Sequence, residues 1–113
     1  MKVMKKMGLI NPVNILVKDE YERASGIWGE VFTDAHQGYG VIAEEIQEAG
    51  DELEKVEGVM YQLLAAIRDS KGKAISDLAD YMQEKAVNAA AECIQVAAMC
   101  HKMRRTVCHE TAV

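Results

Sequence analysis

The stretch His36 to Val56, HQGYGVIAEEIQEAGDELEKV, decides the fold class of this chain. Its apolar residues recur at alternating steps of four and three, which is the spacing of one side of an amphipathic helix. They are Ile42, Ile46, Ala49, Leu53 and Val56, followed at the same steps by Met60, Leu63 and Ile67. The spacing therefore predicts one long helix over about residues 35–67.

A first helix is predicted before this stretch. Proline is tolerated in the first turn of a helix, and Asn11 can cap a helix that begins at Pro12. We therefore expect a helix from Val13 to about Phe32, after an irregular segment over residues 1–12.

Several residues set the limits of the second helix. Thr33 or Asp34 can cap its N-terminus, and Gly50 within it predicts a kink or the close approach of another helix. The sequence RDSKGK at 68–73 is a turn, and it separates the second helix from a third one over about 74–105. A turn this short makes the two helices antiparallel neighbours.

The third helix also carries an apolar stripe. Its members are Ile75, Ala79, Met82, Ala86, Ala89, Cys93, Val96, Cys100, Met103 and Val107. The stripe predicts that Cys93 and Cys100 are buried small residues, and we expect the tail from Thr106 to Val113 to fray. The fold class is therefore all-α: a long antiparallel helical hairpin plus an N-terminal helix, in one domain over 1–113.

Composition limits the classes of partner. The chain has 113 residues, a net charge of −5 and half of its residues hydrophobic, so we expect no nucleic-acid partner. No apolar run is long enough for a membrane span and no signal-peptide cleavage site follows the N-terminus. Three cysteines, an odd number, favour reduced thiols and a cytoplasmic location. Three helices leave apolar surface uncovered, so we expect the helical bundle to be completed in a homodimer or homotetramer.

Polar residues lie on one flank of each helix of the hairpin. They are Glu45, Glu48 and Glu52 on the second helix, and Lys85, Asn88, Glu92 and Gln95 on the third. With the turn centred near Lys71, Glu92 is expected opposite Gly50, between Glu48 and Glu52. Clustered carboxylates repel each other, and oxygen ligands suit Mg²⁺ or Mn²⁺. Two interpretations remain open from the spacing: a divalent-metal site, or solvated side chains on the exterior of a bundle.

Two runs of sequence resemble motifs of a known enzyme family. The run His36–Glu48, which contains the pattern EExxE, resembles the first motif of the all-α, MazG-like nucleoside triphosphate pyrophosphohydrolases. The run Glu92–Met99, ECIQVAAM, resembles their second motif, and the resemblance covers about residues 36–103. It implies a Mg²⁺-dependent enzyme that hydrolyses a ribo- or deoxyribonucleoside triphosphate to the monophosphate and pyrophosphate.

The resemblance also implies roles for individual residues. Glu45, Glu48 and Glu92 would be metal ligands, and Glu44 would position or activate the attacking water. The second motif usually ends in Asp, whereas this chain has Gln95 at that position. The amide oxygen of Gln95 would be an uncharged ligand.

Other candidates come from position alone. Lys85 and Asn88 share the acidic flank and are candidate phosphate or sugar contacts. His36, just before the acidic helix, is a candidate substrate contact or a capping residue, and Trp28 is a core or interface anchor or a base-stacking platform. The alternative function is a non-catalytic helical assembly or interaction module derived from the same scaffold, which the departure at Gln95 favours.

Overall fold

The computed structural model describes the backbone of residues 2–111 and the side chains of residues 8–109. It contains the helices α1 (Lys2–Trp28), α2 (Ala35–Glu57), α3 (Met60–Arg68) and α4 (Gly72–Thr111). Residues 2–111 contain no strand, so the prediction of an all-α fold is confirmed. Within the same range, no helix combines the length and the apolar character that crossing a bilayer requires.

Helix α1 is longer at its start and shorter at its end than predicted. It begins at Lys2, and Pro12 lies inside it, so the prediction of a start at Pro12 is wrong. Proline removes one backbone hydrogen bond, and the turns on either side of it keep the helix continuous. The helix ends at Trp28 rather than Phe32, because Gly29 adopts a left-handed φ of 91° that terminates it.

The start of α2 is capped as predicted, and Asp34 is the capping residue. The backbone N–H of Gln37 donates to Oδ1 of Asp34 at 2.8 Å. The side chain of Gln37 returns a bond, because its Oε1 accepts from the N–H of Thr33 at 2.6 Å. This reciprocal arrangement satisfies backbone donors that lack partners at a helix N-terminus.

The single helix predicted over 35–67 is interrupted, so that prediction is wrong. Helix α2 ends at Glu57 and α3 begins at Met60. The N–H of Val59 donates to the carbonyl of Val56 at 3.4 Å, which is the tighter i to i−3 pattern, and this breaks the regular ladder beside Gly58. The close approach predicted at Gly50 is absent among the described residues, because no atom outside the helix backbone lies within 4 Å of its missing side chain. Helix α2 continues through Gly50, and the alternative of a kink there stays a prediction.

The turn before α4 is confirmed, but the predicted end of that helix is wrong. Ser70 takes a left-handed φ of 53° between α3 and α4. Helix α4 continues to Thr111, through most of the predicted fraying tail; residues 112–113 lie outside the described range. Thr106 explains the extension, because it is 1% exposed and its hydroxyl accepts from the N–H of Phe32 at 2.9 Å.

The chain divides into two compact units. The first comprises the residues up to Glu45 and those from Cys93 onward, and the second comprises Ile46–Glu92. The first unit has a small core of buried residues, namely Ala24, Phe32, Ala98 and Met99, with Val17, Tyr21, Val41, Ile42 and Met103 packed around it. Gly38 is also buried there, and its missing Cβ leaves space that Met103 and Phe32 occupy.

The buried side of α4 within the first unit differs from the predicted stripe. Cys93 and Cys100 are exposed, so their predicted burial is wrong. The buried residues are Ala98, Met99, Lys102 and Thr106. The last three lie on the polar flank of the heptad, Ala98 lies beside that flank, and none is on the predicted apolar stripe. The core is on that flank because Phe32 and the end of α1 pack there.

The second unit is a helical hairpin built from the end of α2, α3 and the first half of α4. Its buried residues are small, namely Ala66 and Ala89. The predicted apolar stripe is only half covered, since Ile46, Leu53 and Met60 are all at least half exposed.

Candidate metal site and substrate cavity

Two carboxylates meet across the hairpin of the second unit. Carboxylate oxygens of Glu48 on α2 and Glu92 on α4 lie within 4.8 Å of each other. Loss of surrounding water raises the pKa of Glu48, and the negative charges of Glu92 and Asp51 raise it further. The turn-based prediction that Glu92 faces this level of α2 is therefore confirmed.

Glu45 lies one turn before Glu48 along α2, in the first unit. Glu45 is half-buried, whereas Glu48 is exposed. Glu44, the predicted water-activating residue, precedes Glu45 and is exposed.

Glu52, one turn after Glu48 on α2, has basic partners. The Nζ of Lys55 donates to Oε1 of Glu52 at 3.1 Å. This bond lowers the pKa of the Glu52 carboxyl, and the positive charge of Lys85 and the nearby amide of Asn88 lower it further. The two substrate-binding candidates from the sequence, Lys85 and Asn88, are thus placed against Glu52, one turn beyond Glu48. The Nζ of Lys85 also lies 5.5 Å from the centre of the Tyr81 ring.

Gln95 lies in the first unit, one turn after Glu92 on α4. The pKa of Glu20 is lowered mainly by Arg23 and to a smaller extent by the nearby amide of Gln95. Arg23 donates to both oxygens of Glu20, at 2.8 Å and 2.6 Å. The residue in the place of the motif's usual Asp therefore lies beside a carboxylate.

A cavity of about 380 Å³ opens in the first unit. Its lining includes Arg23, Trp28, Phe32, Glu45, Gln95 and Lys102. The volume is within the range of small-molecule sites. Glu45, which the motif resemblance assigns as a metal ligand, is part of this lining.

Two sequence candidates occupy exposed positions. Trp28 is 75% exposed at the end of α1, so its assignment as a core anchor is wrong, and it borders the cavity. His36 is exposed in the first turn of α2. Its role as a substrate contact stays a prediction.

Lys102 is the cavity residue that sequence reasoning missed. It is 5% exposed, and its Nζ lies 4.6 Å from the centre of the Phe32 ring. Burial lowers the pKa of its ammonium group. A signal existed, because Asn88, Gln95 and Lys102 recur at seven-residue steps and so occupy one flank of α4.

Comparison of the chain with protein-family models, with curated proteins and with solved structures finds no match. Function is therefore inferred from the carboxylates, from the cavity and from the two motifs quoted above.

Proposed function

We propose that this protein is a divalent-metal-dependent hydrolase that cleaves a nucleoside triphosphate to the monophosphate and pyrophosphate. The observation that carries the proposal is the pair Glu48 and Glu92, whose oxygens lie within 4.8 Å although both groups repel as anions. Such a pair is unfavourable without a neutralising cation or proton. The motif resemblance supplies the reaction class.

The donor set suits Mg²⁺ or Mn²⁺. Glu45, Glu48 and Glu92 are hard oxygen ligands, and Gln95 would add an uncharged amide oxygen. These four residues would hold the ion. When bound, it would supply positive charge that offsets the charge developing on the leaving pyrophosphate.

The chain's own residues would perform the proton transfer and the positioning. Glu44 would accept a proton from the attacking water as the oxygen of that water bonds to the α-phosphorus. The bond from the α-phosphorus to the bridging oxygen breaks, and pyrophosphate leaves with that oxygen. Lys85 and Asn88 are proposed contacts of the phosphates or the sugar, and His36 a further substrate contact. Substrate binding would draw Lys85 and Asn88 from Glu52, their present neighbour.

Charge supports a metal-bridged substrate. The chain carries 18 acidic against 13 basic residues, so a triphosphate approaching the acidic cluster unaided would be repelled. A divalent cation between carboxylates and phosphates removes this repulsion. Activity is therefore expected to require the metal absolutely.

A second function, a non-catalytic helical assembly module, is favoured by one observation. Gln95, at the fourth ligand position of the motif, lacks the charge of the usual Asp and lies near Glu20, whose pKa it helps to lower. In that case the carboxylates would remain on the scaffold after loss of catalysis, and the apolar surface of α3 would bind other helices.

The experiment that tests the proposed reaction is product analysis with a panel of canonical and modified nucleoside triphosphates. The protein is incubated with each nucleotide and Mg²⁺, Mn²⁺ or EDTA, and products are resolved by phosphorus NMR. We expect monophosphate and pyrophosphate in equal amounts, with either metal and not with EDTA.

Two variants make this test specific. Glu92→Gln removes a proposed metal ligand and is expected to abolish pyrophosphate release. Glu84→Gln makes an equal charge change at an exposed position of α4 and is expected to leave pyrophosphate release unchanged. Diphosphate and orthophosphate as products would show a different bond cleaved. No turnover of any nucleotide would favour the assembly module.

A further inference from the structure

We propose that Lys102 binds a phosphate group of the substrate inside the cavity of the first unit. This assignment deepens the proposed function, on which it rests for the identity of the substrate. Neither the motif resemblance nor the acidic cluster assigns a role to Lys102.

Burial is the first observation behind this assignment. Lysine is among the residue types least often buried without a partner. Lys102 is 5% exposed, and among the described side chains no carboxylate forms an ion pair with its ammonium. Its one close partner is the ring of Phe32, at 4.6 Å. A buried cation of this kind is unfavourable for folding, which is typical of a residue retained for binding.

The charges around the cavity give the second observation. Its other cation, Arg23, is engaged by both oxygens of Glu20. Lys102 is therefore the cavity cation without a carboxylate partner among the described residues, and an anionic ligand group would supply that partner.

The position of Glu45 gives the third observation. Glu45 lines the same cavity as Lys102, and the motif resemblance makes it a metal ligand. An anion held by Lys102 would therefore lie in a cavity that also borders a proposed metal ligand. A phosphate chain matches this arrangement, because it carries several negative groups and can contact a lysine and a metal ion together.

The test is calorimetric titration of inorganic tripolyphosphate, in the presence of Mg²⁺, into the wild type and into Lys102→Met. Methionine preserves the length and the apolar stem while removing the charge. We expect the affinity of Lys102→Met for tripolyphosphate to be ten- to hundredfold lower than that of the wild type, as for the loss of a charge-assisted hydrogen bond. Lys73→Met, which removes an exposed cation paired to Asp77 on α4, is the charge-matched control and is expected to bind as the wild type does.

Further readouts separate this proposal from the proposed function. The Mg²⁺-induced rise in Tm, measured without phosphate, is expected to be the same in Lys102→Met and in the wild type. If Lys102→Met does not fold, Lys102→Gln provides the same comparison. Tripolyphosphate that binds both proteins equally, or binds neither, would overturn the assignment of Lys102. Lys102-dependent binding in a protein that cleaves no triphosphate would uphold Lys102 as a phosphate ligand and refute the proposed reaction.

Discussion

Lys102 and Glu48 lie in environments that oppose their charge. Burial lowers the pKa of Lys102, and lost hydration together with nearby carboxylates raises that of Glu48. Neither arrangement benefits the folded chain by itself. Both are expected where ligands of opposite charge bind, a phosphate for the lysine and a metal ion for the glutamate.

The first prediction concerns the stability of Lys102→Met. The folded-state pKa of Lys102 lies below its ordinary value of 10.5, so the native state binds fewer protons, and wild-type stability rises with pH between the lowered pKa and 10.5. Without this group, the variant should melt at a higher temperature than the wild type near neutral pH. The difference should shrink as the pH approaches 10.5. Calorimetric melting of both proteins from neutral pH to pH 10.5 checks this prediction. A variant less stable than the wild type at neutral pH would contradict it.

The second prediction compares two glycines of α2. A Cβ at Gly38 would lie 2.7 Å from Cε of Met103 and 2.8 Å from Cδ2 of Phe32, so Gly38→Ala overpacks the core. We expect a loss of about 1–3 kcal/mol in the free energy of unfolding. Gly40→Ala is the matched control, because Gly40 faces open space, and it should gain about 0.5–1 kcal/mol. Urea unfolding measures both, and equal effects would refute the packing argument.

At the residue scale, the sequence predicted the acidic cluster because heptad position and turn length together determine which side chains face each other. The level of Glu92 relative to Glu48 follows from the turn at 68–73 alone. Lys102 was missed because the heptad predicts which helices of the hairpin face each other and does not show that α1 and Phe32 pack on its flank. Only the position of Phe32, which depends on how α1 ends, makes that flank part of the core.

At the element scale, the helices were predictable and their ends were only partly so. The cap at Asp34 and the turn around Ser70 rest on local hydrogen bonds and backbone angles, which depend on nearby residues. The predictions of the start of α1 and of the end of α4 were wrong. Proline inside a helix and a helix end held by tertiary contacts are not recognisable from local pattern.

The third prediction tests the tertiary bond that holds the end of α4. Thr106→Val keeps the shape of the side chain and leaves the buried N–H of Phe32 without its acceptor. The free energy of unfolding should fall by about 1–3 kcal/mol. Thr106→Ser retains the hydroxyl and should lose less. Urea unfolding of both variants measures these losses. A serine variant as unstable as the valine variant would show that packing contributes more than the hydrogen bond.

At the scale of the whole molecule, the chain exposes apolar side chains that one copy leaves uncovered. Helix α3 is the clearest case, since Met60, Tyr61, Leu64 and Ile67 are each at least 44% exposed. Apolar patches of this kind mark association surfaces. We propose that α3 contributes to the interface of the homodimer or homotetramer expected from the sequence.

The fourth prediction tests that interface. Sedimentation equilibrium of the wild type should give the mass of two or four chains. Ile67→Lys places a charge on the exposed apolar side of α3 and should shift the protein towards the monomer. Gln62→Lys, at an exposed polar position of the same helix, should leave the mass unchanged. A monomeric wild type, or equal masses for the two variants and the wild type, would contradict the assignment of α3 to the interface.

The measurement that tests the central claim most directly is metal-dependent pyrophosphate release from nucleoside triphosphates by the wild type and by Glu48→Gln. Glutamine relieves the repulsion with Glu92, so the variant should fold and melt in metal-free buffer at the wild-type temperature or above it. The account predicts that the wild type releases pyrophosphate only with Mg²⁺ or Mn²⁺, and that the folded variant releases none. Equal release by the two proteins, or release in EDTA, would show that the carboxylate cluster does not carry the chemistry.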